Sequence, residues 1–527
     1  MTENISRDTS YDDIPYESHP FPQSHPERLA TIGRLFGMSP KPVTQSRVLE
    51  LGCGNGGNLI PMAYHLPESE FIGVDLSKRH VEKGLEGISD LGLQNIRIKQ
   101  TSIMEIDESW GTFDYIICHG VFSWVSNDVQ EKILSVSSQN LSPHGIAYIS
   151  YNTYPGWHMR GMIRHMMLYH ALQFKDTPNR IKQARALLDF LEQSVPDDKP
   201  IGPLLKEEIK VIRESKDWYL FHEHMEEFNS PLYFYQFVER AEKHGMQYLG
   251  EAEFATMMTS GFSQEVADTL NRISRDIIRV EQYMDFLRNR LFRRTLLCHK
   301  EQHLERNLKN LEIQDFLVAS AATPSVEPVN LSAGVKQSFR LPSGANIETE
   351  FPITKAAFLV LKEQWPKAMG MTTLYENAEK KVKDMGVCTV ENDTDLRRVL
   401  FNDLLHCYSL NVVELHTWQG DFINEITAYL KTSRLSQYLL QKWGFTVNQR
   451  HMPVHLDPVS IRLIPVLDGT RNHDELMDYL ITSVDEGKLI LKKENEPLNE
   501  SGQLHKALRE AMEKSFTNLS KSAMLVA

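Results

Sequence analysis

The densest chemistry in the sequence lies in RVLELGCGNGGNL, residues 47–59. Gly52, Gly54, Gly56 and Gly57 follow an apolar run and precede a helical pattern. Glycine is required where a backbone turns tightly and must approach a ligand with no Cβ in the way. The N–H groups that open the following helix would then face a negatively charged or carboxylate-bearing ligand. Asp75 ends the next apolar run, EFIGVD, where a carboxylate can accept from both hydroxyls of a ribose. A third group, Asn152, Tyr154, Pro155, Gly156 and Trp157, is a polar-aromatic turn poorly suited to core packing. It offers hydrogen bonds and ring faces to a second ligand. Tyr11 and Tyr16, upstream, are placed to fold over such a site as a lid.

These residues need a scaffold that brings strand ends to one edge. Short apolar runs at Arg47–Leu51, Glu70–Asp75, Asn95–Gln100, Phe113–Cys118 and Gly145–Tyr151 are separated by helical patterns. That alternation predicts βαβ units and a buried parallel sheet. Open sheets of this kind bind ligands outside the carboxyl ends of their strands. The glycine run, Asp75 and the turn at 152–157 all fall there.

The glycine spacing fits two templates. Gly52, Gly54 and Gly57 satisfy the GxGxxG dinucleotide fingerprint, while Glu50, Gly52, Gly54 and Gly56 satisfy the ExGxGxG loop of S-adenosylmethionine (AdoMet) enzymes. The surroundings separate them. An acid inside the first strand, Glu50, is a feature of AdoMet enzymes and unusual in dehydrogenases. GTFDYIICHGVFSWV carries the Phe-Asp opening and apolar run of their fourth strand. LSPHGIAYIS resembles their Leu-x-Pro-Gly-Gly turn, with His144 replacing the first glycine. Ser102, in QTSIMEI, departs from the pattern, because many relatives place an acid there. A Ser hydroxyl or the Ile103 backbone would then serve the adenine amine. The AdoMet reading expects the cofactor on Glu50, Gly52, Cys53, Gly54, Asn55, Asp75, Leu76, Ser102, Ile103, His119 and Gly120. Phe122 and Trp124, beside the fourth strand, suit either the core or the ligand.

Of 527 residues, 57 are Lys or Arg and 70 are Asp or Glu, a formal net charge of −13. That balance argues against a general nucleic-acid binder. Five scattered cysteines without a CxxC pair suggest neither a zinc ribbon nor a disulfide framework, and they fit a reducing compartment. The polar opening MTENISRDTSYDD lacks the features of a signal peptide, and no apolar run is long enough to span a membrane, so a cytoplasmic location is expected. His222 and His224 flank Glu223 with no third ligand nearby in sequence, so no metal site is expected. Neither GxSxG nor HExxH occurs, so hydrolase readings find no support.

The expected organisation is a leader or lid over 1–46, with one short helix near Leu29–Met38, and a sheet domain over 47–305. A helical insertion occupies 158–230; within it Ile181, Ala184, Leu188 and Leu191 share one helix face. A long helix is expected over Gln264–Leu287. The small, polar, proline-containing stretch at 319–338 reads as a linker. A hairpin turning at Ser343–Gly344 and three helices open a winged-helix-like domain over 339–430, and a second accessory unit covers 431–527.

Several segments carry a wider resemblance: YDDIPYESHPFPQSHPERLATIGRLFGMSP, the glycine loop with NLIPMA, NTYPGWH, FHEHMEEFNSPLYFYQFVERAEKHGMQYLGEAEF and LDPVSIRLIPVLDGTRNHDEL. Together they resemble the bacterial AdoMet-dependent methyltransferases that carry a methyltransferase regulatory domain. The match is closest to the rickettsial-type protein lysine methyltransferases, which modify outer-membrane surface proteins. The resemblance implies an α/β fold, a Rossmann-like class I methyltransferase sheet with a helical insertion and a regulatory-domain-like segment at about 218–300. It also implies C-terminal α+β winged-helix-like modules and AdoMet as cofactor. The implied partner is a protein, a surface protein before export, with no nucleic acid; a monomer and a dimer are both compatible with the sequence. On this reading Asn152 and Tyr154 orient a lysine amine, Tyr16 closes the catalytic site, and residues beyond about 330 dock the substrate. Two other readings share the motifs: methylation of a small molecule or peptide intermediate, and a regulatory AdoMet-binding protein without transfer. The large region 306–527 disfavours the first, and the intact Glu50, glycine and Asp75 set disfavours the second.

Overall fold

The computed structural model describes residues 18–226, 228–308, 313–386, 393–490, 492–493, 496–497 and 501–527. Tyr11 and Tyr16 lie outside the described residues. Seven strands form the central sheet: β1 (Arg47–Leu51), β2 (Glu70–Asp75), β3 (Ile96–Gln100), β4 (Phe113–Cys118), β5 (Leu141–Asn152), β6 (Met246–Glu251) and β7 (Phe292–His299). Their order is β3-β2-β1-β4-β5-β7-β6. The first five run parallel, and β7 is antiparallel to both β5 and β6. Every residue of β4 is buried, as expected of a strand covered on both faces. A dinucleotide-binding sheet runs 3-2-1-4-5-6. The antiparallel strand wedged between β5 and β6 therefore sets this sheet apart from the dehydrogenase pattern.

Helices α2 (Leu59–His65), α3 (Lys78–Leu91) and α4 (Asn127–Gln139) connect the parallel strands. Ahead of them, α1 (Pro26–Leu35) is capped by His25, whose ring accepts from the Glu27 N–H. Leu29, Ile32 and Leu35 on α1 are fully buried. The described part of the leader is thus a core element rather than an irregular cover.

After β5 the chain leaves the sheet for four helices: α5 (Trp157–Ala171), α6 (Thr177–Ser194), α7 (Ile201–Arg213) and α8 (Asp217–His224). They close a small core of their own around Met167, Ile181, Ala184, Leu188, Leu205 and Ile209. The chain returns through α9 (Phe234–Lys243) and β6. The long helix expected next is two helices, α10 (Gln264–Ile273) and α11 (Ile277–Arg288). Ser274 is extended, and the Asp276 carboxylate restarts the helix by accepting from the Ile278 N–H at 2.8 Å. Buried Arg293 on β7 then ties the edge together, reaching Asp285 at 2.8 Å, Glu251 at 2.8 Å and Glu281 at 3.0 Å.

Residues 319–338 are not a free linker. Ala319, Ala322 and Leu331 are buried, and the buried Lys355 ammonium donates to the Ser332 carbonyl at 2.7 Å and the Val335 carbonyl at 3.0 Å. Small residues that read as flexible in sequence here permit close packing. The segment contains β9 (Thr323–Pro324), preceded by β8 (Leu317–Ala319). The hairpin follows as expected, β10 (Gln337–Arg340) against β11 (Asn346–Thr349). Then come α12 (Pro352–Gln364), β12 (Met369–Gly370), α13 (Met371–Asp384), α14 (Asp393–Ser409) and β13 (Glu414–His416). The C-terminal unit adds α15 (Arg434–Trp443), α16 (Pro458–Leu463), α17 (His473–Asp485) and α18 (Ser501–Lys521). One hydrophobic core runs from α1 and the sheet through Phe358, Leu400 and Leu439, so the C-terminal half is fused to the catalytic half. Among the described residues no helix is long and apolar enough to cross a membrane.

Candidate active site

A cavity of about 820 Å³ opens at the carboxyl ends of β1, β2, β4 and β5. Its first half is built by the glycine loop. Gly52 has φ +71°, and a Cβ there would sit 2.5 Å from Val121 Cγ2; Gly54, which also lines the cavity, has φ +55°. Only glycine takes these angles beside an open ligand space without strain. The loop is pinned to β2: Asp75 accepts from the Gly54 N–H at 2.8 Å through one oxygen and from the Ser77 N–H at 2.9 Å through the other. The carboxylate keeps lone pairs toward the cavity that it lines.

Glu50 is buried in the floor of this half, with 3% of its surface exposed. One oxygen accepts from the Asn58 amide at 2.7 Å, and the other has no hydrogen-bond partner among the described residues. Burial raises its pKa to about 8, helped by the nearby Asp75 charge and opposed by the Asn58 bond. A buried carboxyl with one unpartnered oxygen, on a residue that lines the cavity, is matched to a cationic ligand group. Farther along, His119 bonds the Tyr148 hydroxyl at 2.7 Å and stacks under Phe21 at 3.7 Å. Burial, aided by Arg294, lowers its pKa to about 3, so the ring stays neutral. The Gly120 N–H donates to Ser150 Oγ at 2.8 Å.

The second half lies under the helical insertion. Trp124 and Trp157 meet edge to face at 6.0 Å, and Tyr219, His222, Glu223 and Glu226 descend from α8 and the turn after it. Burial raises the Glu223 pKa to about 7 against the pull of Arg160 and His222. His222 Nδ1 and Glu226 Oε1 are 2.8 Å apart. The result is an aromatic enclosure with carboxylates on one wall.

Of the expected cofactor residues, Glu50, Gly52, Cys53, Gly54, Asp75, Leu76, Ser102, Ile103, His119 and Gly120 all line the cavity. Asn55 does not: it is buried, and its Oδ1 has no hydrogen-bond partner among the described residues. Ser102 uses its hydroxyl to accept from the Met104 N–H at 3.2 Å. Of the expected catalytic residues, Asn152 lines the cavity and donates to Asn229 Oδ1 at 3.3 Å. Tyr154 stands apart from the lining, its ring stacked on His158 at 4.2 Å and tilted against Tyr233 at 5.3 Å. Tyr16 lies outside the described residues. Phe122 is core and Trp124 lines the site. Sequence reasoning missed Phe21, Asn58, Tyr219, Glu223 and Glu226. A signal existed for the last three: positions 219, 222, 223 and 226 recur at helical spacing and place ionisable and aromatic groups on one face.

The residues present fit AdoMet. The glycine loop can hold its carboxypropyl end, the Glu50 carboxyl its ammonium, Asp75 its ribose, and Ser102 with Ile103 its adenine. Fold and site define an AdoMet-dependent methyltransferase. Residues 48–145 match the family described as methyltransferase domain, 216–299 the predicted methyltransferase regulatory domain, and 431–524 the PKMT C-terminal winged helix domain. The structure of PKMT2 from Rickettsia typhi in complex with AdoHcy superposes with a TM-score of 0.87, at 32% identity, over 97% of this chain and 100% of that one. An uncharacterized protein of Rickettsia prowazekii is 34% identical over 100% of this chain and 95% of its own length. A second one is 46% identical over 44% of this chain and 94% of its own length. The chain belongs to this family, the AdoMet-dependent methyltransferases of the PKMT type.

Proposed function

We propose that the protein methylates lysine side-chain amines of a protein substrate. The observation that carries this reading is the second half of the cavity, where Glu223 and Glu226 stand beside Trp124, Trp157 and Tyr219. Aromatic faces and carboxylates together suit an alkylammonium, through cation–π attraction and charge. A neutral metabolite would gain little from them. The bound cofactor supplies an activated methyl carbon on a sulfonium. The protein must align the amine, exclude water and take up a proton, since a lysine in solution ionises near ~10.4. Glu223, with its pKa raised to about 7, is a carboxylate able to accept that proton near neutral pH. Asn152, at the end of β5, lines the cavity, which supports a role in orienting the amine. The resemblance to rickettsial-type enzymes supports a cell-envelope protein as the target.

The test is incubation of the purified protein with labelled AdoMet and cell-envelope extract, followed by mass spectrometry of labelled peptides. Methyl groups on lysine are expected. Label confined to small molecules, or to residues other than lysine, overturns the proposal.

A further inference from the structure

The C-terminal unit reaches into the cofactor site through one side chain. His451 lies between α15 and α16, is 2% exposed, and brings its Nε2 to 2.9 Å from Asn58 Oδ1. Asn58 is the residue that holds Glu50. Its amide orientation is fixed by its neighbours: Oδ1 also receives the Phe21 backbone N–H at 2.8 Å, and a backbone N–H can only donate. Nδ2 therefore faces Glu50 at 2.7 Å and Ser24 Oγ at 3.0 Å. With Oδ1 as acceptor, the His451 proton must sit on Nε2. Asn58 thus has both donors and both acceptor positions filled, and His451 supplies one of the four.

The loop that carries His451 is built for this delivery. The residue has φ +58°, a left-handed conformation uncommon outside glycine. The turn is held by Asn448, whose Oδ1 accepts from the Arg450 and Met452 N–H groups at 2.9 Å each. The Gln449 N–H donates to the Ala523 carbonyl at 3.0 Å, tying the turn to the end of the C-terminal unit. Backbone strain that persists only because its surroundings dictate it is a mark of functional positioning. The His451 Nδ1 has no partner among the described residues, so the ring is not fixed here by a bond on its far side.

We infer that His451 is a positioning residue for the cofactor, acting through Asn58 to aim the Glu50 carboxylate, and that the C-terminal unit thereby completes the AdoMet site. Without the His451 donor, Asn58 Oδ1 keeps only the Phe21 N–H, and the amide that holds Glu50 is fixed by three hydrogen bonds instead of four. The cofactor ammonium then meets a carboxylate of looser orientation. The chemical step, in the other half of the cavity, is untouched.

The experiment is calorimetric titration of the full chain with AdoMet and with AdoHcy, for His451→Phe and His451→Gln in wild-type and Glu50→Gln backgrounds. Phe keeps an aromatic ring but no donor; Gln restores an N–H of similar reach. His451→Phe is expected to weaken both ligands about tenfold, about the worth of one buried hydrogen bond. His451→Gln should recover all but about twofold of that. In the Glu50→Gln background, where there is no carboxylate to aim, the Phe substitution should add little. At saturating cofactor, kcat should be unchanged while KM for AdoMet rises. Unaltered Kd with a lowered Tm, equal losses for Phe and Gln, or additive losses with Glu50→Gln would each overturn the inference. Should His451→Phe not fold, His451→Asn takes its place, since asparagine tolerates the left-handed backbone but is too short to reach Asn58.

Discussion

Replacement of Glu223 by glutamine isolates the proposed proton acceptor while keeping its size. At pH 7 a lysine in solution is neutral in roughly one molecule in 2,500, given a pKa near ~10.4. Without help from the protein, transfer would be held back by that fraction. A positioned general base typically contributes about 10²–10⁴-fold, and its best pKa lies near the working pH. Glu223 meets both conditions: it lines the acceptor half of the cavity, and burial raises its pKa from 4.5 to about 7. Its carboxylate form therefore prevails above pH 7 and is lost as the pH falls through 7. A bound sulfonium, being positive, moves that limb to lower pH. Initial rates of methyl transfer to a lysine peptide at saturating AdoMet, measured from about pH 5.5 to 9.5, should rise and then level for the wild type. Glu223→Gln should lose about a hundredfold near neutrality. Its residual rate should keep climbing with pH, following the deprotonation of lysine itself, while AdoMet affinity is unchanged. A variant that keeps both the rate and the levelling-off would refute the role.

Asp75→Ala removes the carboxylate that pins Gly54 and faces the cavity, and should cost about 1–3 kcal/mol of AdoMet binding, read by calorimetry. Glu50 is held protonated in the cofactor-free protein up to about pH 8, whereas unfolded it ionises near 4.5, so its contribution to stability declines as pH rises through that window. Glu50→Gln should abolish this slope, so urea denaturation above pH 7 should find the variant at least as stable as the wild type without cofactor. Arg293→Met leaves Glu251, Glu281 and Asp285 buried without their shared cation, and should destabilise the fold by about 3–5 kcal/mol in denaturant titrations.

Features that depend on near neighbours in the chain were legible in the sequence. The five parallel strands follow from apolar runs bounded by turns, and the glycine loop from residues two apart whose backbone must lie against a ligand. The break between α10 and α11 was missed because Ser274, Arg275 and Asp276 carry neither proline nor glycine; α10 stops at an extended Ser274, and an aspartate cap starts α11. The 319–338 stretch misled for a different reason, since alanine and serine are equally at home in a linker and in a tight packing seam. Asn152 lines the cavity, as its place at a strand end suggested, whereas Tyr154 two residues later stacks on His158 outside the lining. Periodicity cannot express that competition. Asn58 and His451 are 393 positions apart, and no local pattern joins them.

That long-range contact changes how the C-terminal half should be understood. The last unit has a core of its own around Leu463, Leu476, Leu480 and Leu519, but a region that only docked substrate would also have an interface that separates cleanly. Here Phe358, Leu400 and Leu439 share a core with α1 and the sheet. Lys83 on α3 lies over the Trp443 ring at 5.4 Å, and the Thr417 N–H donates to the Glu27 carboxylate at 2.9 Å. Cutting the chain near residue 318 would uncover α1 and remove His451 in one stroke. Loss of activity in such a fragment would then report a broken cofactor site and an exposed apolar face, whatever the region does for substrate. Surface substitutions that leave this shared core and the 448–452 turn intact test a docking role separately, because they do not touch the hydrogen bonds that hold Glu50.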